Sequence, residues 1–287
     1  MVLFGAQGQL GSAILRFLHQ RYPEKPVTTV SRGEDWKQVL EELPDFIMSD
    51  WVFASGVTDP KAPEDEIRRV NTETPISIIE AALSFTRLHS EAMGPRFLTL
   101  GSIQENFPEL AGRNAYLKSK LDLSRWIEKK CKDPLHSKRF VHLRVHTIFS
   151  DEFKSHMFLG QIWEALKNES PFKMSHGMQL REYLHVDDFA NAMMQLLAVE
   201  WTLGPVMELN HGDPLALRDL ASKIFSRFKS EGLLEIGERP ADERENIERK
   251  FERSPDWLLP HTRQAVPAII SILEKKIAKQ KLRKAKA

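Results

Sequence analysis

Short apolar runs alternate with amphipathic stretches over residues 1–150, and this alternation leaves few folds open to the chain. "MVLF" reads as a strand. "QLGSAILRFLHQRY" places apolar residues at 10, 14, 15, 17 and 18, the period of a helix. Further strands are predicted in "KPVTTVSR", "DWVFASG", "PRFLTLGS" and "KRFVHLRVHTIFS". Between them come a polar-faced helix in "EDWKQVLEEL", helix in "EDEIRRVNTETPISIIEAALSFT" with a break near Pro75, and a helix with a basic end in "AYLKSKLDLSRWIEKKC". Strands that alternate with helices in this way form a parallel sheet joined by right-handed crossovers.

Beyond residue 150 the pattern loosens. Helices are predicted in "HMFLGQIWEALKN" and "ALRDLASKIFSRFKS". "REYLHVDDFANAMMQLLAV" runs from a short strand into a helix that Asp187 or Asp188 would cap. "GPVMELNHG" reads as a strand and "RQAVPAIISILEKKIAKQKLRKAKA" as a final helix. The absence of repeats and low-complexity linkers points to a smaller lobe packed on the first half.

Composition removes several function classes. A net charge of +1 gives no global field for a polyanionic partner. The tail carries seven Lys and Arg residues from position 275 onward but no aromatic for base stacking, so it reads as a solvated helix end, not a nucleic-acid contact. A single cysteine, Cys131, excludes an intramolecular disulfide and a cysteine-based zinc site, which suits a reducing cytoplasm. No apolar run reaches membrane-spanning length, and "MVLFGAQGQLG" lacks the basic start of a signal peptide. His142, His146 and His185 lack a carboxylate-rich cluster beside them and read as ordinary partly buried histidines, so no metal is expected. Trp126, Trp163 and Trp201 read as core or interface residues.

"FGAQGQLG" places Gly5, Gly8 and Gly11 between the first strand and the first helix. A dinucleotide pyrophosphate needs close backbone approach at such a turn, with amide donors and positive dipole from the helix N-terminus. Gln7, Gln9 and Leu10 fall in the same candidate cofactor loop, and the small residues Ala54, Ser55 and Gly56 end the third strand. At the end of the second strand an NAD site usually carries an acid for the ribose hydroxyl. Here Ser31 and Arg32 stand instead, a hydroxyl and a guanidinium that attract a 2′-phosphate. NADP(H) is therefore expected in preference to NAD(H).

Tyr116 and Lys120 are four residues apart on one helix, about one turn. An adjacent ammonium favours phenolate, so Lys120 is expected to lower the Tyr116 pKa and to hold a cofactor ribose hydroxyl. Tyr116 would then exchange a proton with a substrate oxygen while hydride moves to or from nicotinamide. Ser102, at the end of the fourth strand, is placed to bond the same oxygen.

Together these residues resemble the extended short-chain dehydrogenase/reductases of the nucleotide-sugar epimerase, dehydratase and reductase kind, over most of the chain. "GAQGQLG" resembles that family's G-x-x-G-x-x-G, and Ser102, Tyr116 and Lys120 match its Ser–Tyr–Lys triad in order and spacing. Asn71 in "VNTETP" matches a structural asparagine. "LRVHTIFS" resembles a substrate segment with Thr147 where Asn is usual, and "REYLHVDD" resembles R-D-[FY]-[IV]-[HY]-V-D-D. "RPAD" followed by "WLLP" resembles a late signature.

The resemblance implies an α/β fold, a Rossmann-like doubly wound parallel sheet with a smaller C-terminal substrate-binding lobe. It implies a cofactor domain over 1–150 to which 183–210 returns, a substrate lobe over 151–182 and 211–262, and a C-terminal helix with basic tail over 263–287. Asn71, Tyr116 and Lys120 join the cofactor site, and Ser102, Thr147, Arg181, Arg239 and Asp242 the substrate site. A homodimer through the helices after residues 71 and 114 is also implied.

Family dehydratases carry Thr-Asp-Glu at the triad hydroxyl. Here the run is Ser102-Ile103-Gln104, with Glu105 one place too far on, so dehydration is disfavoured. The expected activity is NADP(H)-dependent reduction of a keto group on a 4-keto-6-deoxy nucleotide sugar. An epimerase with retained NAD(P) and a non-catalytic NADP-binding regulatory protein stay open.

Overall fold

A computed structural model describes residues 1–42, 49–59, 61–89, 94–240 and 253–284. In chain order the elements are β1 (Val2–Phe4), α1 (Gln9–Arg21), β2 (Thr28–Val30), α2 (Trp36–Glu41), β3 (Asp50–Phe53), α3 (Glu64–Arg68), α4 (Thr74–His89), β4 (Arg96–Ser102), α5 (Ala115–Lys130) and β5 (Phe140–Val145). There follow β6 (Thr147–Phe149), α6 (Phe158–Asn168), β7 (Phe172–Met174), β8 (Leu180–Arg181), β9 (Tyr183–His185), α7 (Val186–Leu197), β10 (Val206–Leu209), β11 (Leu215–Ala216), α8 (Leu217–Arg227), β12 (Leu234–Ile236) and α9 (Ala265–Lys284). Two compact units result, Met1–Val145 with Phe189–Leu209, and His146–Asp188 with Asn210–Ala287.

The first unit is a six-stranded sheet in the order β2-β1-β3-β4-β5-β10, parallel throughout. Its central strands are buried on both faces, which is why "WVF" and "FLTL" read as continuous apolar runs without alternation. Phe4 stacks on Phe53 at 4.5 Å between centroids, and Trp51, Phe97 and Phe140 carry the aromatic contact across the sheet. At the start of β4, Arg96 bonds Asp50 and the carbonyls of Leu197 and Val199, and lies over the Trp201 ring at 4.6 Å. From β1 the chain goes to one side for β2 and to the other for β3. The carboxyl ends of β1 and β3 therefore flank the switch point, where open α/β sheets place their ligands.

Three local expectations are corrected. The stretch from Glu64 to His89 is not broken at Pro75; a π-helical turn, Arg69–Glu73, widens the helix between α3 and α4. Proline has no N–H to continue the ladder, and the widened turn just before it accommodates that loss. The fifth predicted strand is two: β5 joins the main sheet, whereas β6 pairs with β9 in the second unit. One apolar run serves both, and periodicity does not encode a change of partner at His146. Asp187 and Asp188 lie inside the first turn of α7, not at its cap. The Asp187 N–H bonds His185 Nδ1 at 3.2 Å, and Asp188 accepts the Arg263 backbone N–H at 2.9 Å.

The second unit has its own core, built by apolar faces of α6, α8 and α9 around Phe149, Phe172, Tyr183 and Phe225. Its strands form three pairs, β6-β9, β7-β12 and β8-β11. The buried Glu182 carboxylate accepts the backbone N–H groups of His211 and Gly212 and so fixes the loop before β11.

Candidate active site

The turn after β1 is a cradle that side chains would fill. Gly5 has φ of +81°, and a Cβ there would lie 2.5 Å from the Ser55 nitrogen. A Cβ on Gly11 would lie 2.2 Å from the Gly5 carbonyl oxygen. The Ala54 N–H bonds the Phe4 carbonyl at 2.9 Å, which sets Ala54, Ser55 and Gly56 beside the glycine turn. Gly8 is the N-cap of α1 and brings no side chain, and the first turn, with Gln9 and Leu10, has no acid. Its amide end is suited to an anion. A closely approaching pyrophosphate fits this donor set. At the rim, Gln7 Nε2 bonds Ser31 Oγ at 3.3 Å, and the exposed Arg32 pairs with Glu66 at 3.4 Å.

The ends of β4 and α5 bring Ser102, Tyr116 and Lys120 together. Asn114 caps α5 by accepting the Leu117 N–H at 3.0 Å, which fixes where Tyr116 emerges one turn before Lys120. Ser102 bonds the Tyr116 hydroxyl through its side chain. The buried Lys120 Nζ donates to the Leu100 carbonyl at 2.8 Å and sits 5.9 Å from the Tyr116 ring centroid. Asn71, placed by the π-helical turn, bonds the Val57 N–H at 2.8 Å, the Val57 carbonyl at 3.0 Å and Ser119 Oγ at 3.1 Å. Gly56 lies where an added Cβ would be 3.4 Å from Asn71 Oδ1 and 3.6 Å from Lys120 Nζ.

Burial governs both titrating groups. It raises the Tyr116 phenol to about 12; the Glu105 charge adds to this and the Ser102 bond opposes it. Burial lowers Lys120 to about 8, against the Glu105 charge, which favours the ammonium. The expectation that Lys120 lowers the Tyr116 pKa is thus overturned. The ammonium is turned to a backbone carbonyl, and desolvation of the phenolate is the largest influence on the phenol.

Glu105 was read only as an acid in the wrong place for dehydration. In the structure it closes a capping box with Ser102: the Ser102 N–H donates to Glu105 Oε1 at 2.6 Å. His142 Nε2 lies 3.1 Å from both carboxylate oxygens, and Arg144 Nε lies 2.9 Å from Oε2. His142 Nδ1 faces Thr99 Oγ1 at 2.7 Å. These bonds hold the Glu105 carboxyl below its ordinary pKa against the opposing effect of burial, the largest single influence on it. The S-x-x-E spacing of Ser102 and Glu105 is the signal that sequence reasoning passed over.

The remaining candidates lie in the second unit. Thr147 opens β6, and its N–H bonds the Glu182 carbonyl at 3.0 Å. Arg181 ends β8 with Nη1 on the Leu180 carbonyl at 2.8 Å. Arg239 is exposed, its Nη1 on Gln161 Oε1 of α6 at 3.2 Å. Asp242 lies outside the described residues. Among the described residues, no three His, Cys, Asp or Glu side chains are grouped to hold a metal ion, and no helix is long and apolar enough to cross a membrane.

Solved structures share this fold over nearly the whole chain. MoeE5 in complex with UDP-glucose and NAD is 17% identical, with 96% of this chain and 99% of that chain covered and a TM-score of 0.67. RMD from Pseudomonas aeruginosa complexed with NADPH is 16% identical, with 96% and 99% covered and a TM-score of 0.66. L-threonine dehydrogenase from Phytophthora infestans is 13% identical, with 97% and 99% covered and a TM-score of 0.70. Among curated proteins none matches the sequence. The model of the NAD dependent epimerase/dehydratase family matches residues 1–204, the span that holds the glycine cradle, the Ser–Tyr–Lys constellation and all six strands of the parallel sheet but the last. By that match the chain belongs to the NAD dependent epimerase/dehydratase family.

Proposed function

We propose that the protein is an NADP(H)-dependent oxidoreductase that reduces a keto group of a nucleotide-linked sugar, of the 4-keto-6-deoxy class. The observation that carries this reading is a half-buried phenol held protonated beside an ammonium and a serine hydroxyl. Reduction of a carbonyl needs an acid at the oxygen, and Tyr116 is loaded as one. Ser102 bonds the same oxygen, and the Lys120 ammonium stabilises the negative charge left on Tyr116 after it gives up its proton.

Gly5, Gly8, Gly11 and the first turn of α1 would hold the dinucleotide, with Gln7, Ser55, Gly56 and Asn71 around it; when bound, its nicotinamide supplies the hydride. Ser31 and Arg32 favour a 2′-phosphate there. Thr147, Arg181, Arg239 and Asp242 are assigned to the nucleotide sugar. The engagement of Glu105 by Ser102, His142 and Arg144 supports the case against dehydration. The fold alone does not choose the substrate, since an L-threonine dehydrogenase shares it. The same reading assigns α4 and α5 to a homodimer interface.

The test is NADPH absorbance with purified protein and a panel of 4-keto-6-deoxy nucleotide sugars carrying different bases. Stoichiometric NADPH loss with one member supports the reductase. Sugar conversion without net NADPH loss replaces it with an epimerase. Tight NADPH binding with no turnover on any member replaces it with a non-catalytic binder.

A further inference from the structure

Glu105 is a fully buried carboxylate that the proposed chemistry does not use. Its neighbours form a closed set. On its own turn it holds the Ser102 N–H; from β5 come His142 and Arg144. Arg144 reaches on to Asn106 Oδ1 at 2.8 Å and to Ser124 Oγ of α5 at 3.3 Å, and Asn106 bonds Glu208 of β10. Space has been kept for this arrangement: a Cβ on Gly101 would lie 2.3 Å from His142 Nε2 and 2.4 Å from Glu105 Oε1.

The same strand end carries Lys120. Its ammonium sits on the Leu100 carbonyl, while the carboxylate sits on the Ser102 amide two residues later. The charged and titratable groups around this strand end are thus Lys120 and Tyr116 from α5, Arg144 and His142 from β5, Glu208 of β10 through Asn106, and Glu105 itself.

We propose that Glu105 is the positioning residue of the constellation, one buried carboxylate that fixes the Ser102 backbone and supplies the fixed negative charge against which Lys120 and Tyr116 are set. Arg144 and His142 hold it in place, and Arg144 partly offsets its charge. This inference takes the Ser102–Tyr116–Lys120 chemistry from the function proposed above. Its physical content, a carboxylate and an ammonium anchored two residues apart on one strand end, does not depend on the substrate. The effect on both α5 groups has one sign: a negative charge disfavours phenolate and favours ammonium.

The test is carbon-13 NMR of labelled lysine side chains in the full chain without cofactor, with the Lys120 resonance assigned by its loss in Lys120→Met. Wild type should titrate near the value of about 8 that burial sets. Glu105→Gln keeps the shape and an acceptor for the Ser102 N–H but removes the charge, so the Lys120 midpoint should fall by about one pH unit. Arg144→Met removes the offsetting cation, so the midpoint should move the other way. Glu105→Asp keeps the charge and should leave it near wild type. Opposite shifts in Glu105→Gln and Arg144→Met support the proposal, and a merely structural role would not produce them. A midpoint unmoved in both overturns it, as does an equal shift in Glu105→Gln and Glu105→Asp. In the NADPH assay the alkaline limb of kcat/KM should move to lower pH in Glu105→Gln, because loss of the anion lets Tyr116 lose its proton sooner. A shifted midpoint with no turnover on any keto-sugar supports the charge role and counts against the reductase reading alone.

Discussion

Replacing Asn71 with alanine tests how the π-helical turn serves the site. The Asn71 side chain satisfies both backbone groups of Val57, a buried residue just after Gly56, and also bonds Ser119 Oγ. Ser119 keeps a second partner, because its hydroxyl donates to the Tyr116 carbonyl at 2.7 Å. Alanine therefore orphans chiefly one buried N–H and one buried carbonyl. Each orphan costs about 1–3 kcal/mol, so the expected loss is about 3 kcal/mol, allowing for partial relaxation. Urea unfolding followed by tryptophan fluorescence reads the total. Hydrogen exchange at the Val57 amide reads the local part, and about 3 kcal/mol corresponds to exchange faster by about a hundredfold. Since Gly56 lies against both Asn71 and Lys120, NADPH affinity should fall as well. A variant within about 1 kcal/mol of wild type, with unchanged Val57 protection, would refute the reasoning: the turn would then be held by its backbone alone.

Tyr116→Phe removes the acid and should lower kcat for keto-sugar reduction about a thousandfold; activity within tenfold of wild type removes Tyr116 from the chemistry. Arg32→Ala should weaken NADPH binding about tenfold or more in fluorescence titration and leave NADH unchanged; an equal loss for both cofactors contradicts the 2′-phosphate role. Lys120 gives a pH signature in stability. Its folded pKa of about 8 lies below the ordinary lysine value of 10.5, so between these values the unfolded chain binds more protons and stability rises with pH. The full cost of burying the ammonium, about 3 kcal/mol, applies below the folded value and is relieved as pH rises through the window. The difference in stability between wild type and Lys120→Met should therefore shift in favour of wild type from pH 8 to 9.5. A flat difference in denaturant melts across that range contradicts the buried ammonium.

The parallel sheet was legible because strands buried on both faces give uninterrupted apolar runs, and helices between them show the 3.6-residue period. Gly5 and Gly11 were legible for a related reason, since both stand where the backbone packs too closely for a Cβ. Other features depend on contacts that no local pattern carries. The run from Phe140 to Phe149 has one composition but pairs with β4 and β10 before His146 and with β9 after it. Arg96 is an unremarked arginine in sequence, yet it ties Asp50 to the end of α7 more than a hundred residues away. The sign of the Tyr116 shift was misjudged because sequence spacing places Lys120 near the ring but does not say which acceptor its ammonium takes.

That last point reaches beyond one pKa. A lysine four residues after a tyrosine can bond the phenol oxygen, a ligand or the backbone, and each choice gives the pair a different resting charge. Here the Leu100 carbonyl takes the ammonium and the Ser102 amide gives to Glu105, so the three residues that end β4 lie between a cation and an anion. Such an arrangement resists displacement of Ser102, because any movement of the strand end stretches a charge-assisted bond on one side or the other. It also leaves the phenol with the serine hydroxyl as its hydrogen-bond partner and no ammonium on its oxygen. The protonated phenol follows first from its burial, to which the anchored Glu105 charge adds, and the spacing of Tyr116 and Lys120 alone would have predicted the opposite.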